Sequence, residues 1–171
     1  AVFVEFGTER VKATPYDYPI VGMNNNTVNT LRLWSTADTD PSGYDMDAFN
    51  KGDYPKAFQN IAQPAITSVL YPNDNHFAGK VLRLKQEFTL VSASLQDILR
   101  NFKKMDSPIS DLPQYIHLQI NDTHPALAIP ELIRLILENY QITFEEALAI
   151  TRECVAYTNH TVLPEALEQW D

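Results

Sequence analysis

An α/β fold is predicted for this 171-residue chain by three features of its sequence. Residues 1–36 are rich in Val, Thr, Phe and Tyr between turn formers, residues 79–104 carry one apolar stripe at helical spacing, and two short apolar runs near the end flank two helix-length segments. A crossover through helices returns the chain in the same direction, so those last two runs are expected to pair in parallel.

In residues 1–36, Pro15, Pro19 and Gly22 punctuate two or three strands. The last is TVNTLRLWS, whose Leu31 and Leu33 face opposite Arg32 and Trp34. Residues 37–53, ADTDPSGYDMDAFNKGD, are acidic and turn-rich and read as a surface connection. Residues 54–70 have a helical composition that Pro55 and Pro64 interrupt.

From Gly79 to Lys104, Val81, Leu84, Phe88, Val91, Leu95, Ile98 and Phe102 recur at steps of three and four. They form one face of a long helix packed on a core rather than an isolated coiled coil, and Lys103 and Lys104 suit its negative end. Residues 115–171 read as a β-α-α-β-α unit. YIHLQI is the first strand; PELIRLILENY begins a helix at Pro130 with Leu132, Leu135, Ile136 and Tyr140 on one side. TFEEALAITREC opens with Thr143 and Glu146 in a capping box, and VAYT is the second strand. A last helix is expected from Pro164, with Glu165 at the positive end of its dipole. With AVFVEF at one end and this newly begun helix at the other, both ends read as cut.

Hydrophobic residues make up 44% and charged residues 20%, as in ordinary globular proteins, and the size suits one domain with a real core. The net charge of −9 argues against a general nucleic-acid face but not against a small anionic substrate held by local cations. Cys154 is the single cysteine, which permits no internal disulfide and fits a reducing, cytoplasmic setting. No apolar run has the length of a membrane span, so no membrane partner is expected.

Open parallel sheets bind ligands at the edge where the strands end. Asp122 and His124 follow the first strand in INDTHPALAIPEL, and Asn159, His160 and Thr161 follow the second in YTNHTVLPEAL, so the two loops are expected to be neighbours. One reading is turn and cap chemistry, with Thr123 and Thr161 capping helices. The other is two walls of one site, since neither caps nor turns need imidazole or an accompanying carboxylate. Both stay open on composition. A zinc site from His117, His124, His160 and Asp122 is not expected, because their spacing is not that of a ligand set. A third cluster, LYPNDNHFAG (residues 70–79), is a strong turn signal. Its amides and carboxylate also suit sugar hydroxyls, with Tyr71, His76 and Phe77 as apolar faces.

The strings NTLRLWS, LYPNDN, LRLKQEF, LQDI, INDTHPALAIPEL and AYTNHTVLPEALEQW, in this order, resemble the glycogen (α-glucan) phosphorylases, from residue 13 to the end. The resemblance implies an internal piece of the N-terminal half of an enzyme with the glycosyltransferase B architecture: two Rossmann-like domains facing a cleft. It implies phosphorolysis of the terminal α-1,4 glucosyl unit of a glucan by inorganic phosphate, giving glucose 1-phosphate. It also implies pyridoxal phosphate on a lysine outside this chain, a homodimer, and an inactive isolated fragment.

Residue by residue, the resemblance matches His160 to the histidine at the sugar 6-hydroxyl and Asn75 to the asparagine at the 2-hydroxyl. Asp74, with Asn73 beside it, matches the loop gating the catalytic site. Asp122, His124, Thr161 and Ala166 match the pocket lining beside the anomeric face. No acid or base role follows for Asp122 or Asp74, since the family's acid is phosphate itself. The chain departs from the pattern at His76, where muscle-type enzymes carry Phe, which weakens stacking of planar inhibitors there. At LRNFKK, Arg100 is retained as an effector-phosphate residue, but Asn101 replaces its partner arginine and weakens any AMP site. Pro55 and Pro64 disfavour the long helix of the family's dimer contact. A carbohydrate-binding or scaffold module derived from such an enzyme is the alternative. A bare nucleotide-binding domain is not expected, since no G-x-G-x-x-G follows a strand.

Overall fold

The computed structural model describes residues 1–36, 45–58 and 66–170, and its backbone separates into two compact units, Ala1–Leu90 and Val91–Asp171. Pro64 and residues 37–44 of the acidic segment 37–53 lie outside the described residues.

In the first unit β1 (Val2–Phe6), β2 (Glu9–Val21) and β3 (Val28–Ser35) form an antiparallel sheet in that order. The turn between β1 and β2 is two residues long, and Gly7 supplies the positive φ of 60° that such a tight hairpin requires. β1 pairs only from Val2↔Ala13 to Phe6↔Glu9, while β2 and β3 continue as a ribbon from Thr14↔Ser35 to Val21↔Val28. Asp17 and Arg32 stand opposite each other on that ribbon and pair through both carboxylate oxygens at 2.6 Å. Leu31 and Leu33 do alternate with Arg32 and Trp34, but the side that is covered is that of Trp34. The indole is 7% exposed, against 49% and 48% for the two leucines.

Part of the expected surface connection is helical. Asp45 accepts the Ala48 N–H at 3.0 Å and so starts α1 (Met46–Asn50), which buries Ala48 and Phe49. Asp53 likewise caps α2 (Tyr54–Ala57), and Pro55 sits in its first turn, where the missing N–H has no intrahelical partner to lose.

Helix α3 runs Phe77–Lys103, starting two residues before the Gly79 expected from the sequence. Val81 at the start of the stripe is exposed, whereas Val91, Leu95 and Phe102 are buried. Polar residues take buried positions on the first half with their bonds made. Gln86 donates to the Ile66 and Val69 carbonyls at 2.8 Å each, and the Thr89 hydroxyl donates to the Lys85 carbonyl at 2.6 Å.

In the second unit a 3-10 turn (Ile109–Asp111) leads into α4 (Leu112–Tyr115), β4 (Leu118–Asn121), α5 (Ala128–Asn139), α6 (Phe144–Cys154) and β5 (Val155–Thr158). Tyr115 therefore belongs to a helix rather than to the strand expected at YIHLQI, because Pro113 favours the first turn of α4. α5 opens at Ala128, so Pro130 lies inside its first turn rather than starting it. The Thr143–Glu146 capping box is present, with Thr143 N–H to Glu146 at 2.7 Å and Glu146 N–H to Thr143 at 3.2 Å.

β4 and β5 pair in parallel, from Leu118↔Val155 to Asn121↔Thr158. Phe102, Leu112, Leu132, Ile136 and Ala147 lead the core between them and the helices. Buried Glu131 is satisfied on both oxygens, by the Ser92 hydroxyl at 2.6 Å and by Arg134 at 2.6 and 2.9 Å. The helix expected from Pro164 is a single 3-10 turn, Pro164–Ala166, after which Leu167 is extended. Among the described residues no helix is long and apolar enough to cross a membrane.

Candidate functional site

The candidate site lies at the C-terminal edge of the β4–β5 pair. Because Asn121 and Thr158 are in register, the chain leaves both strands at the same height. Asp122 is the first residue beyond β4, held at φ 62° with its N–H on the Thr158 carbonyl at 2.7 Å. Asp is one of the few residues that tolerates this left-handed conformation. The conformation turns the carboxylate toward the second loop, where the Thr161 hydroxyl donates to Oδ1 at 2.9 Å and lies 3.2 Å from Oδ2. The Thr123 N–H donates to Oδ1 at 2.8 Å.

Neither threonine caps a helix. Thr161 instead ties the two loops, and the N-cap position of α5 is Leu127, which makes no side-chain cap bond. Asn159 takes a local turn, accepting the Thr161 N–H at 2.7 Å. His160 is exposed, with Nε2 3.4 Å from Asn121 Oδ1. Asn121 belongs to the Asn-Asp-Thr-His string that drew notice in the sequence, whereas Thr158 carries no such signal. Both are the final residues of their strands, paired in register. Ala166 is exposed and outside this hydrogen-bonded group, and His124 is half-buried on the first loop. Among the described residues no three His, Cys, Asp or Glu side chains gather as a metal site.

The Thr123 N–H, then the Thr161 hydroxyl, hold the Asp122 carboxyl below its ordinary value of 3.8 against desolvation by burial, and His124 and His160 add smaller lowering contributions. A carboxyl with a lowered folded-state pKa stabilises the fold fully above its ordinary value, and that contribution is lost as pH falls through the folded value. Carbon-detected titration should therefore place the Asp122 midpoint below 3.8, with Thr161→Val moving it upward. A midpoint at or above 3.8 in the unsubstituted chain would contradict this arrangement.

The Asn73–Asn75 turn lies in the first unit. Asn73 donates its amide to the Asn50 carbonyl at 3.1 Å and accepts the Asn75 N–H at 3.1 Å. Asp74 pairs with Arg83 at 3.3 Å. The Asn75 side chain is exposed, as are Tyr71 and Phe77 at 80% and 79%; His76 is half-buried instead. Arg100 is committed to the buried carboxylate of Asp97, which Asn101 also contacts at 3.4 Å.

Parallel strands with a helical crossover, bringing carboxylate, imidazole and hydroxyl groups to one edge, place the chain in the α/β class, whose strand ends are the usual place for a ligand. Sequence comparison makes the class specific: the chain matches the carbohydrate phosphorylase family over residues 2–171 and belongs to it. It is 49% identical to the brain form of glycogen phosphorylase from Homo sapiens and 51% identical to the liver form from Ovis aries, each over 173 aligned residues. The alignments cover 95% of this chain and 20% of each relative, so the chain spans about a fifth of their length.

Proposed function

We propose that the chain forms part of the glucose-binding wall of an α-1,4-glucan phosphorylase, within the N-terminal Rossmann-like domain of a glycosyltransferase B architecture. The reaction is phosphorolysis of a terminal glucosyl unit of glycogen, starch or maltodextrin to glucose 1-phosphate. The observation that carries this reading is the Asp122–Thr161–His160 grouping at the strand edge of a chain half identical to glycogen phosphorylases.

On this reading His160 meets the sugar 6-hydroxyl and Asn75 the 2-hydroxyl, while Asp74 and Asn73 belong to the loop bordering the site. Asp122, with Thr161, His124 and Ala166, lines the anomeric side. These groups bind and orient, and none is assigned as acid or base. Each hydroxyl contact is worth about 1 kcal/mol net, and several that tighten together at an oxocarbenium-like transition state amount to substantial catalysis.

The lysines of this chain do not fit a pyridoxal phosphate site. Lys85 pairs with Glu9 at 2.8 Å, and Lys12, Lys51, Lys56, Lys80, Lys103 and Lys104 are exposed rather than set in a cavity. The cofactor is accordingly assigned to another part of a longer, homodimeric protein. Arg100 is a poor effector-phosphate ligand on the same reading, because Asp97 already engages its guanidinium.

The test is phosphate-dependent release of glucose 1-phosphate from maltodextrin. A full-length chain carrying this segment is expected to release it, and the 171-residue chain alone is not. Product from the short chain would overturn the placement of the reacting groups elsewhere. A full-length chain that binds maltodextrin without releasing product would instead be a carbohydrate-binding module.

A further inference from the structure

One side chain ties down the Asn73–Asn75 turn without a part in the reading above. His76 immediately precedes α3, and its Nδ1 accepts the Gly79 N–H at 2.9 Å, the bond an N-cap residue makes to the third helical residue. A nitrogen that accepts carries no proton, so the neutral ring is protonated on Nε2. The ring meets Tyr54 edge-on with centroids 6.3 Å apart. It lies so close to Gly52 that a Cβ there would stand 2.5 Å from Cε1, and Gly52 itself is at φ 77°. A Cβ on Gly79 would run into the Asn73 carbonyl and the same imidazole. Through Asn73 and Asn50 the turn is also bonded back to α1.

His76 Nε2 and Tyr54 Oη are buried with no hydrogen-bond partner among the described residues. Burying an unpaired donor is unfavourable, so the ring is held in place by its other nitrogen and its packing. The aromatic residue that faces outward at this turn is Phe77.

We propose that His76 is a positioning residue: by capping α3 through Nδ1 it fixes the Asn73–Asn75 turn and presents Asn75 to the glucosyl unit. This rests on the sugar-binding role of Asn75 proposed above.

Three variants of the full-length chain separate the two ideas. His76→Leu fills the space without an acceptor, His76→Asn offers an amide oxygen near the place of Nδ1 without a ring, and Asn75→Ala reports on sugar binding itself. Phosphorolysis kcat is expected to fall about tenfold in His76→Leu, with KM for phosphate unchanged, and to stay within about threefold in His76→Asn. Amide exchange at Asn75 and Gly79 should quicken about tenfold in His76→Leu alone. Wild-type kcat or exchange in His76→Leu, with Asn75→Ala impaired, overturns the positioning role by itself. His76→Asn as slow as His76→Leu assigns the effect to the ring and overturns it too. Asn75→Ala at full rate removes the sugar-binding reading, and this inference with it.

Discussion

His160→Ala, in a full-length phosphorylase chain carrying this segment, is expected to lower kcat/KM for glucan phosphorolysis by about 10- to 100-fold while leaving the fold nearly as stable. The stability half follows from the surroundings of the ring. It is exposed, and among the described residues its one hydrogen-bond contact is Asn121 at 3.4 Å, a long one. Loss of such a surface side chain changes stability by about 0.5 kcal/mol or less. The rate half follows from the proposed role. A hydrogen bond that strengthens as charge develops is worth about 1.5–3 kcal/mol, which is one to two decades of rate. Steady-state kinetics and a thermal melt on the same preparation check both halves. An unchanged rate would remove His160 from the site, and a collapsed melt would make it a structural residue.

The largest expected loss of stability is at Phe102. Its ring is 2% exposed in the second unit, beside Tyr115 at 5.9 Å between centroids and within the cluster led by Leu112, Leu132 and Ile136. Phe102→Ala removes that apolar surface and leaves a cavity that helices on several sides cannot close, at a cost of about 3–5 kcal/mol. That is a large share of the roughly 5–15 kcal/mol by which domains are stable. Phe144→Ala, on a residue 53% exposed, should cost less than about 1 kcal/mol in the same urea titration. Equal losses would mean that Phe102 is not at the centre of a packed core.

Features decided by local chemistry were legible in the sequence. The Thr143–Glu146 box depends on four consecutive residues, and it forms. The parallel β4–β5 pair follows from a crossover through two helices, and it forms too. Features that depend on what lies opposite were not. Alternation in β3 separates Leu31 and Leu33 from Trp34 but cannot say which side is covered. Thr161 has the composition of a cap, yet its partner is a carboxylate 39 residues earlier, and only the parallel register brings the two together. His76 read as an outward aromatic at a turn, because no local pattern reveals that Gly52 leaves room for an imidazole to fold inward.

The shared register of Asn121 and Thr158 also sets where this protein tolerates changes of length. A residue inserted into β4 or β5 would move every following side chain to the opposite face and part Asp122 from Thr161. A residue inserted between Asn139 and Thr143, in the link from α5 to α6, would leave both strand ends where they are. Insertions and deletions in natural variants should therefore collect in that link, while the distance from each strand to its histidine stays constant to the residue.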